Sequence, residues 1–216
     1  MNQMAFAQGY DQLKTQLMFE NFYGSKMRSS ARTINEVGGS ETLLDDWHPI
    51  EIVFANGSTR FEQGKINLFN ATAEVIYKDQ EMFIATQHLK RINLPHLNRS
   101  LIPADNYEFK GVSLNGFVEV FNPELNLPYI LINHYVYIKK PSTNGYINGG
   151  TTQEKFVKSS KIYVVNGDNL EPYKGKKSVD KLFSGNKEKY LELVKKHNTD
   201  FKNPKSVQKL IDAMRN

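Results

Sequence analysis

The chain has 216 residues, of which 39% are hydrophobic and 24% are charged, and its 13 Phe and 11 Tyr supply ample apolar surface to bury. This composition excludes wholesale disorder, and the length suits one β sandwich or barrel, since such folds commonly run to roughly 200–250 residues. The chain has no cysteine, which excludes disulfides, thiolate metal sites and cysteine nucleophiles.

The net charge of +5 is unevenly distributed along the chain. Residues 155–216 contain 15 Lys and Arg against 7 Asp and Glu, whereas residues 1–154 contain 13 against 16. A basic end is typical of proteins that bind nucleic acid or an anionic membrane. Lysines interleaved with Glu and Asp on helical segments are also typical of a solvated surface. The second interpretation is favoured, because nearly all of the basic residues are Lys.

The first seven residues end in Ala5-Phe6-Ala7, the small-x-small pattern after which signal peptidase cleaves. The basic start and the apolar stretch of a complete signal peptide are both missing, so residues 1–7 are interpreted as the remnant of a signal peptide whose front is missing. An ordinary N-terminus rich in small residues is the alternative. Apolar side chains at helical spacing between residues 10 and 20 then predict that residues 8–40 form an N-terminal helix followed by a flexible loop rich in Gly and Ser.

Residues 41–216 are predicted to form a single β-rich domain that includes C-terminal helices in residues 178–216. Short β-type runs occupy residues 50–55, 59–62, 65–70, 73–78, 81–86, 89–94, 106–111, 116–121, 129–139 and 161–171. Asn-Gly pairs at 56–57, 115–116 and 166–167 predict hairpins. The close spacing leaves no room for crossover helices, so the sequence predicts an antiparallel meander, sandwich or barrel-like sheet. The strand at 129–139 is apolar on both faces and is predicted to be central, whereas 95–103 and 141–152 are predicted loops.

Three helices are predicted at the C-terminal end, which makes the chain α+β overall. Ser178 is the predicted cap of the first helix, Ser184 or Asn186 caps the helix at 187–197, and Asn203-Pro204 starts the last one. The last helix carries an apolar stripe at i, i+3, i+4 and i+7, which must be buried. Its members are Val207, Leu210, Ile211 and Met214. The predicted partner is the sheet or the preceding helix, whose matching face would consist of Tyr190, Leu191 and Val194.

The order of these landmarks resembles a family of uncharacterised exported proteins of the envelope or periplasm that is common in Bacteroidota. The matching residues are Leu43 to Trp47, the hairpin from Ile52 to Phe61, the hairpin of Tyr163 with Asn166-Gly167, Lys174 to Lys177, and the helices that end at Asp200-Phe201 and Arg215-Asn216. The resemblance covers residues 40–216. It implies export with a cleaved signal peptide and implies no activity. The chain departs from the family pattern after Trp47, where His48-Pro49 replaces the usual glycine.

No motif of a known catalytic or cofactor-binding site is present, and no apolar run approaches the roughly 20 residues that a membrane-spanning helix needs. The five histidines are scattered without metal-ligand spacing. His134 lies on an apolar strand face, so it is predicted to be a core histidine bonded to backbone or to a tyrosine. The sequence therefore predicts no catalytic residue, no metal site and no cofactor.

Asp45-Asp46-Trp47 is the one cluster that could carry chemistry, because adjacent carboxylates beside an indole could form an acid/base site or bind a sugar. The favoured interpretation is a strand entry in which both carboxylates lie in a turn and Trp47 is buried as a core anchor. Consecutive strand residues point to opposite faces, so the two carboxylates would not converge.

Three functions remain open. The first is a non-catalytic envelope or periplasmic protein with a binding or assembly role, whose partner is left open between another envelope protein and a glycan. The second is a hydrolase with a site built from carboxylates and His134, Asp45 or Asp46. The third is nucleic-acid binding through the basic C-terminal segment, against which export argues.

Overall fold

The computed structural model describes residues 37–110, 112–123, 130–140 and 154–215. The predicted signal-peptide remnant, the N-terminal helix and the loop at 141–152 lie outside the described residues. In chain order the strands are β1 (His48–Phe54), β2 (Thr59–Asn67), β3 (Thr72–Tyr77), β4 (Gln80–Ala85), β5 (Leu89–Leu94), β6 (Arg99–Pro103), β7 (Phe117–Val120), β8 (Ile130–Lys139), β9 (Lys155–Asn166) and β10 (Asn169–Pro172). The helices are α1 (Lys176–Leu182), α2 (Lys187–His197) and α3 (Pro204–Arg215).

All ten strands form one sheet with the order β10-β9-β8-β7-β6-β5-β1-β2-β3-β4. Every strand pair is antiparallel. The order is that of a meander except that β1 lies between β2 and β5, so the prediction of an antiparallel, β-rich α+β fold is confirmed. The Asn-Gly turns at 56–57 and 166–167 are hairpins, and both glycines have positive φ, 85° and 59°, which such tight turns require.

A segment before β1 joins two parts of the sheet that are far apart in strand order. Gly38 exchanges two backbone hydrogen bonds with β9, from its N–H to the carbonyl of Glu154 (2.9 Å) and from the N–H of Phe156 to its own carbonyl (2.8 Å). Leu43 donates to the carbonyl of Ile66 (2.7 Å), next to the end of β2. The sheet is therefore curled, and residues 38–43 bridge β9 and β2.

One face of the curled sheet, the inner face, holds two apolar clusters. The first fills the part formed by β1–β7 with side chains such as Ile50, Ile52 and Phe117, which are at most 1% exposed. The second packs α1–α3 against β8 and β9 through Ile130 and Val164. The reverse face of β6–β10 is covered by the segment 104–114, which buries Leu114 and Ala104 there.

The sequence located most elements, and the structure differs from it in three places. Residues 99–103 form β6 instead of a loop, because Leu101 and Ile102 pair with β5 and β7 and are buried there. The predicted strand at 106–111 is absent from the described part of that range, which contains the end of a 3₁₀ turn (Ala104–Asn106) and two isolated bridges, Phe109 with Val112 and Lys110 with Asn169. The runs at 59–62 and 65–70 form one strand, β2, which ends at Asn67.

The helix ends differ from the predicted caps. Helix α1 begins after Gly175, so Ser178 lies inside the helix, where its hydroxyl accepts a hydrogen bond from the Lys174 N–H (2.8 Å). Helix α2 begins after Asn186, whose side chain makes no capping hydrogen bond. The side chain of Asn203 does cap α3, because its Oδ1 accepts from the Lys205 N–H at 3.0 Å, so this prediction is confirmed.

The apolar stripe of α3 is buried as predicted, with Val207, Leu210 and Ile211 at 0% exposure. It contacts both predicted partners, since its cluster includes Ile130 of the sheet and Tyr190 of α2. The prediction for α2 was wrong at Leu191, which is 41% exposed, because Leu193 provides the buried contact instead.

Replacement of Leu210 by Ala is expected to lower the free energy of unfolding by about 2–5 kcal/mol, the range for a buried leucine truncated to alanine. The matched control is Lys209→Ala, one residue earlier on the exposed face of α3, which is expected to change it by at most about 0.5 kcal/mol. Denaturant unfolding of both variants measures the difference. Equal midpoints for Leu210→Ala and the wild type would contradict the packing of α3 on the sheet.

Candidate functional site

Four polar side chains form a diagonal row across four neighbouring strands on the inner face of the sheet. Arg99 is on β6, Glu119 on β7, His134 on β8 and Ser160 on β9. The register places Glu119 opposite Ile132, and His134 opposite Ser160, so all four share one face. The row lies between the two apolar clusters, since Phe117 belongs to one and Ile130 to the other.

The centre of this row is the Glu119 carboxylate, whose side chain is 9% exposed. Its Oε2 accepts hydrogen bonds from Arg99 Nε (3.0 Å), from Arg99 Nη2 (2.6 Å) and from His134 Nε2 (2.8 Å). Burial alone would raise the pKa of Glu119, but the hydrogen bonds and charges of His134 and Arg99 outweigh it and lower that pKa. The ionised carboxylate is therefore the form that the folded protein stabilises.

His134 connects this carboxylate to an exposed hydroxyl, because its Nδ1 lies 3.2 Å from Ser160 Oγ. With Nε2–H donating to Glu119, Nδ1 of neutral His134 accepts from the Ser160 O–H. The prediction that His134 would bond to backbone or to a tyrosine is therefore wrong: its partners are Glu119, Ser160 and Arg99. The order hydroxyl, imidazole, carboxylate is also that of a serine hydrolase, although there the hydroxyl contacts Nε2.

The Asp45-Asp46-Trp47 cluster is spread over the surface. Asp45 and Asp46 are both exposed, and Asp45 forms an ion pair with Lys158 of β9, whose hydrogen bond is the main cause of a lowered pKa at Asp45. Trp47 is only partly buried, with Lys65 Nζ 4.9 Å from the centre of its ring, so its expected burial as a core anchor is wrong. Trp47 directly precedes β1.

A second candidate site is the outer face of β2–β4, on the side of the sheet opposite the inner face. Phe61, Ile76 and Phe83 are 72%, 36% and 47% exposed. Lys65 pairs with Glu74, Glu74 with Phe83, and Ile76 with Glu81. Alternate residues of a strand share a face, so Phe61, Ile76 and Phe83 point to the same side. They form an apolar row across three strands that ends at β4, an edge of the sheet. No sequence pattern marked this row, because its alternation is that of an ordinary half-buried strand.

Carboxylates border this apolar row. Glu51 lies directly opposite Phe61, Glu81 opposite Ile76, and Glu74 opposite Phe83. Burial is the main cause of a raised pKa at Glu74, and the charges of Glu41 and Glu81 raise it further, whereas a hydrogen bond from Asn67 and the charge of Lys65 lower it. The outer face of β2–β4 is thus apolar at its centre, and it has three carboxylates and one lysine, Lys65, around that centre.

Among the described residues, no group of three or more His, Asp or Glu could hold a metal ion, and no helix in the same ranges is long and apolar enough to cross a membrane. Comparison of the chain with protein-family models, with curated proteins and with solved structures finds no match. The resemblance to exported Bacteroidota proteins therefore stays a prediction.

The variant Glu119→Gln tests the buried row through its pH dependence. A lowered folded-state pKa means that the stabilisation by ionised Glu119 is fully present above its unfolded-state pKa of about 4.3 and is lost as the pH falls through the lower folded value. At pH 7 the variant should lose about 1.5–3 kcal/mol, the range for hydrogen bonds to a charged group. The difference from the wild type should shrink below about pH 4.

The control is Glu62→Gln on the same inner face, because burial raises the pKa of Glu62 although Arg60 lies nearby. A raised folded-state pKa has the opposite sign: the wild type should gain stability over this variant as the pH falls through that pKa. Unfolding of both variants in denaturant between pH 7 and pH 3 gives the comparison. Parallel pH profiles for the two variants would contradict the assigned ionisation of Glu119.

Proposed function

We propose that this chain is an exported, non-catalytic protein of the bacterial cell envelope or periplasm, which acts by binding another protein at the outer face of β2–β4. The observation that carries the proposal is the exposed row of Phe61, Ile76 and Phe83. Apolar side chains clustered on one surface and bordered by charges are typical of protein-binding sites. The composition of the outer face calls for a partner surface that is apolar at its centre and basic around it.

The rest of the sheet makes this exposed row exceptional. The segment 104–114 covers the reverse face of β6–β10, and α1–α3 cover the inner face of β8 and β9. Most apolar side chains of those strands are buried or half-buried by the chain itself, although Tyr137 of β8 is 45% exposed. Phe61 and Phe83 are likewise about half exposed or more, and with Ile76 they form a continuous row. Covering this row with a partner is favourable by about 25 cal/mol for each Å² of apolar surface that is buried.

The row around Glu119 supports the non-catalytic part of the proposal. Arg99 and His134 both bind the same oxygen of Glu119, so the cluster is neutral when His134 is neutral, and these contacts stabilise the sheet between its two apolar clusters. A cluster whose charges are already paired resembles a structural ion pair more than an acid poised to lose or gain a proton.

The hydrolase alternative now has one observation in its favour, the contact of Ser160 Oγ with His134 Nδ1. A fluorophosphonate probe, which forms a covalent bond with activated serines, distinguishes the two functions. No labelling of Ser160 is expected, since its Oγ contacts Nδ1 of His134 and not Nε2, the nitrogen that contacts the nucleophile in serine hydrolases; Nε2 of His134 is bonded to Glu119. Labelling of the wild type that is lost in both Ser160→Ala and Glu119→Gln would replace the proposal with an enzyme.

Binding at the outer face is tested in cells with a photo-crosslinking amino acid at position 61. An adduct of higher mass is expected on illumination, because Phe61 is the most exposed side chain of the proposed contact. The same amino acid at Glu108, an exposed position in the segment that covers the reverse face, is the matched control and should give no adduct. Fractionation of the same cells should recover the protein from the envelope or periplasm.

Two results would contradict this proposal. Equal crosslinking at positions 61 and 108 would show that the outer face has no specific partner. Recovery of the protein in the cytoplasm, intact from Met1, would remove export.

A further inference from the structure

The three C-terminal helices carry a positively charged surface. Residues 174–215 contain 12 Lys and Arg but only 5 Asp and Glu. The apolar stripe of α3 and the side chains Tyr190 and Leu193 of α2 face the sheet, so the cations lie on the outside of the helices. The exposed ones are Lys174, Lys176, Lys177, Lys181, Lys187, Lys195, Lys196, Lys202, Lys205, Lys209 and Arg215.

One apolar side chain lies within this basic surface. Leu191 of α2 is 41% exposed. Lys187 and Lys195 are one helical turn before and after it, and residues at i and i+4 share a helix face. Glu188, at i−3, shares this face, so the exposed face of α2 has an apolar centre with two cations and one carboxylate around it. The outer face of β2–β4 has an apolar centre bordered mainly by carboxylates.

The helices of a given molecule cannot cover its own outer face. Helix α2 packs against α3, and both belong to the apolar cluster that includes Ile130 and Val164 on the inner face of β8 and β9. The apolar row of Phe61, Ile76 and Phe83 lies on the outer face of β2–β4, which is the opposite side of the sheet from these helices. The two complementary surfaces of one chain therefore lie on opposite sides of the sheet and can meet only between two molecules.

We propose that the partner of the outer face is a second copy of this chain, which contributes the exposed face of α2 around Leu191. This inference rests on the proposed function and names the partner. Phe61 and Phe83 of one molecule contact Leu191 of the next, and Lys187 and Lys195 approach the carboxylates of Glu51, Glu74 and Glu81. Opposite charges of this kind orient two proteins as they meet and disfavour other partners.

The geometry of such a contact has a consequence for the size of the assembly. The two surfaces differ, so the interface is heterologous, and each added molecule leaves one free outer face and one free helix face. Assembly therefore continues head to tail until a ring closes or a filament forms. Salt weakens it, because the Debye length falls to about 8 Å at 0.15 M ionic strength.

The experiment uses two full-length variants that each lack one surface. The first carries Phe61→Glu and Phe83→Glu, and the second carries Leu191→Glu and Lys195→Glu. All four positions are exposed, and circular dichroism with denaturant midpoints verifies that both variants fold. Leu97→Glu is the matched control, since Leu97 is a 40% exposed apolar residue outside both surfaces.

Sedimentation velocity at low ionic strength is expected to show oligomers for the wild type and for Leu97→Glu, and monomers for each double variant alone. A mixture of the two double variants should form a heterodimer that does not grow, because one intact outer face and one intact α2 face remain in the mixture. The heterodimer should dissociate as salt is raised.

Other outcomes would overturn the inference in distinguishable ways. A helix variant that still dimerises would indicate a symmetric contact between two outer faces. A wild type that stays monomeric while position 61 crosslinks to a different protein would leave the proposed function intact and remove only the second copy as partner. Loss of binding to a DNA oligonucleotide by the helix variant alone, with a monomeric wild type, would assign the lysines to nucleic acid.

Discussion

Backbone hydrogen bonds from residues 38–43 hold together strands that are distant in the sheet, and the shape of the molecule depends on them. Gly38 bonds to β9, and Leu43 bonds to the end of β2. Between these two points the sheet must curl, which turns Ile50, Ile52 and Phe117 toward a common interior. Gly64 permits the close packing there, because a Cβ atom at this position would collide with the side chain of Ile50 and lie 2.9 Å from the Glu74 carbonyl oxygen.

The curl of the sheet also determines which surfaces stay exposed to a binding partner. On the inner face it creates room for α1–α3 beside β8 and β9, and the ion-paired row of Arg99, Glu119 and His134 separates these helices from the first apolar cluster. On the outer side, the segment 104–114 reaches β6–β10 but not β2–β4. The binding function proposed above thus follows from an incomplete covering of the sheet and not from a reactive group.

The sequence resemblance and the distribution of charge are two separate observations that support the same class of function. The resemblance implies export without a known activity. The distribution of charge places cations on the helices and carboxylates around the exposed apolar row. Neither of these features requires a cofactor or a catalytic residue, and both suit a protein whose role is to bind other proteins in the envelope.

Local patterns in the sequence were sufficient for most strands, for the Asn-Gly hairpins at 56–57 and 166–167, and for the buried stripe of α3, because each depends on neighbours within a few residues. Three features depended on the tertiary structure. Residues 99–103 became a strand only because β5 and β7 lie on either side of them. His134 met Glu119 and Arg99 through the register of three strands, and the exposure of Phe61 and Phe83 depended on where the segment 104–114 and the helices packed. Contacts between residues far apart in the chain decided all three features. The spacing of residues along a single strand carries no information about which other segment will cover that strand.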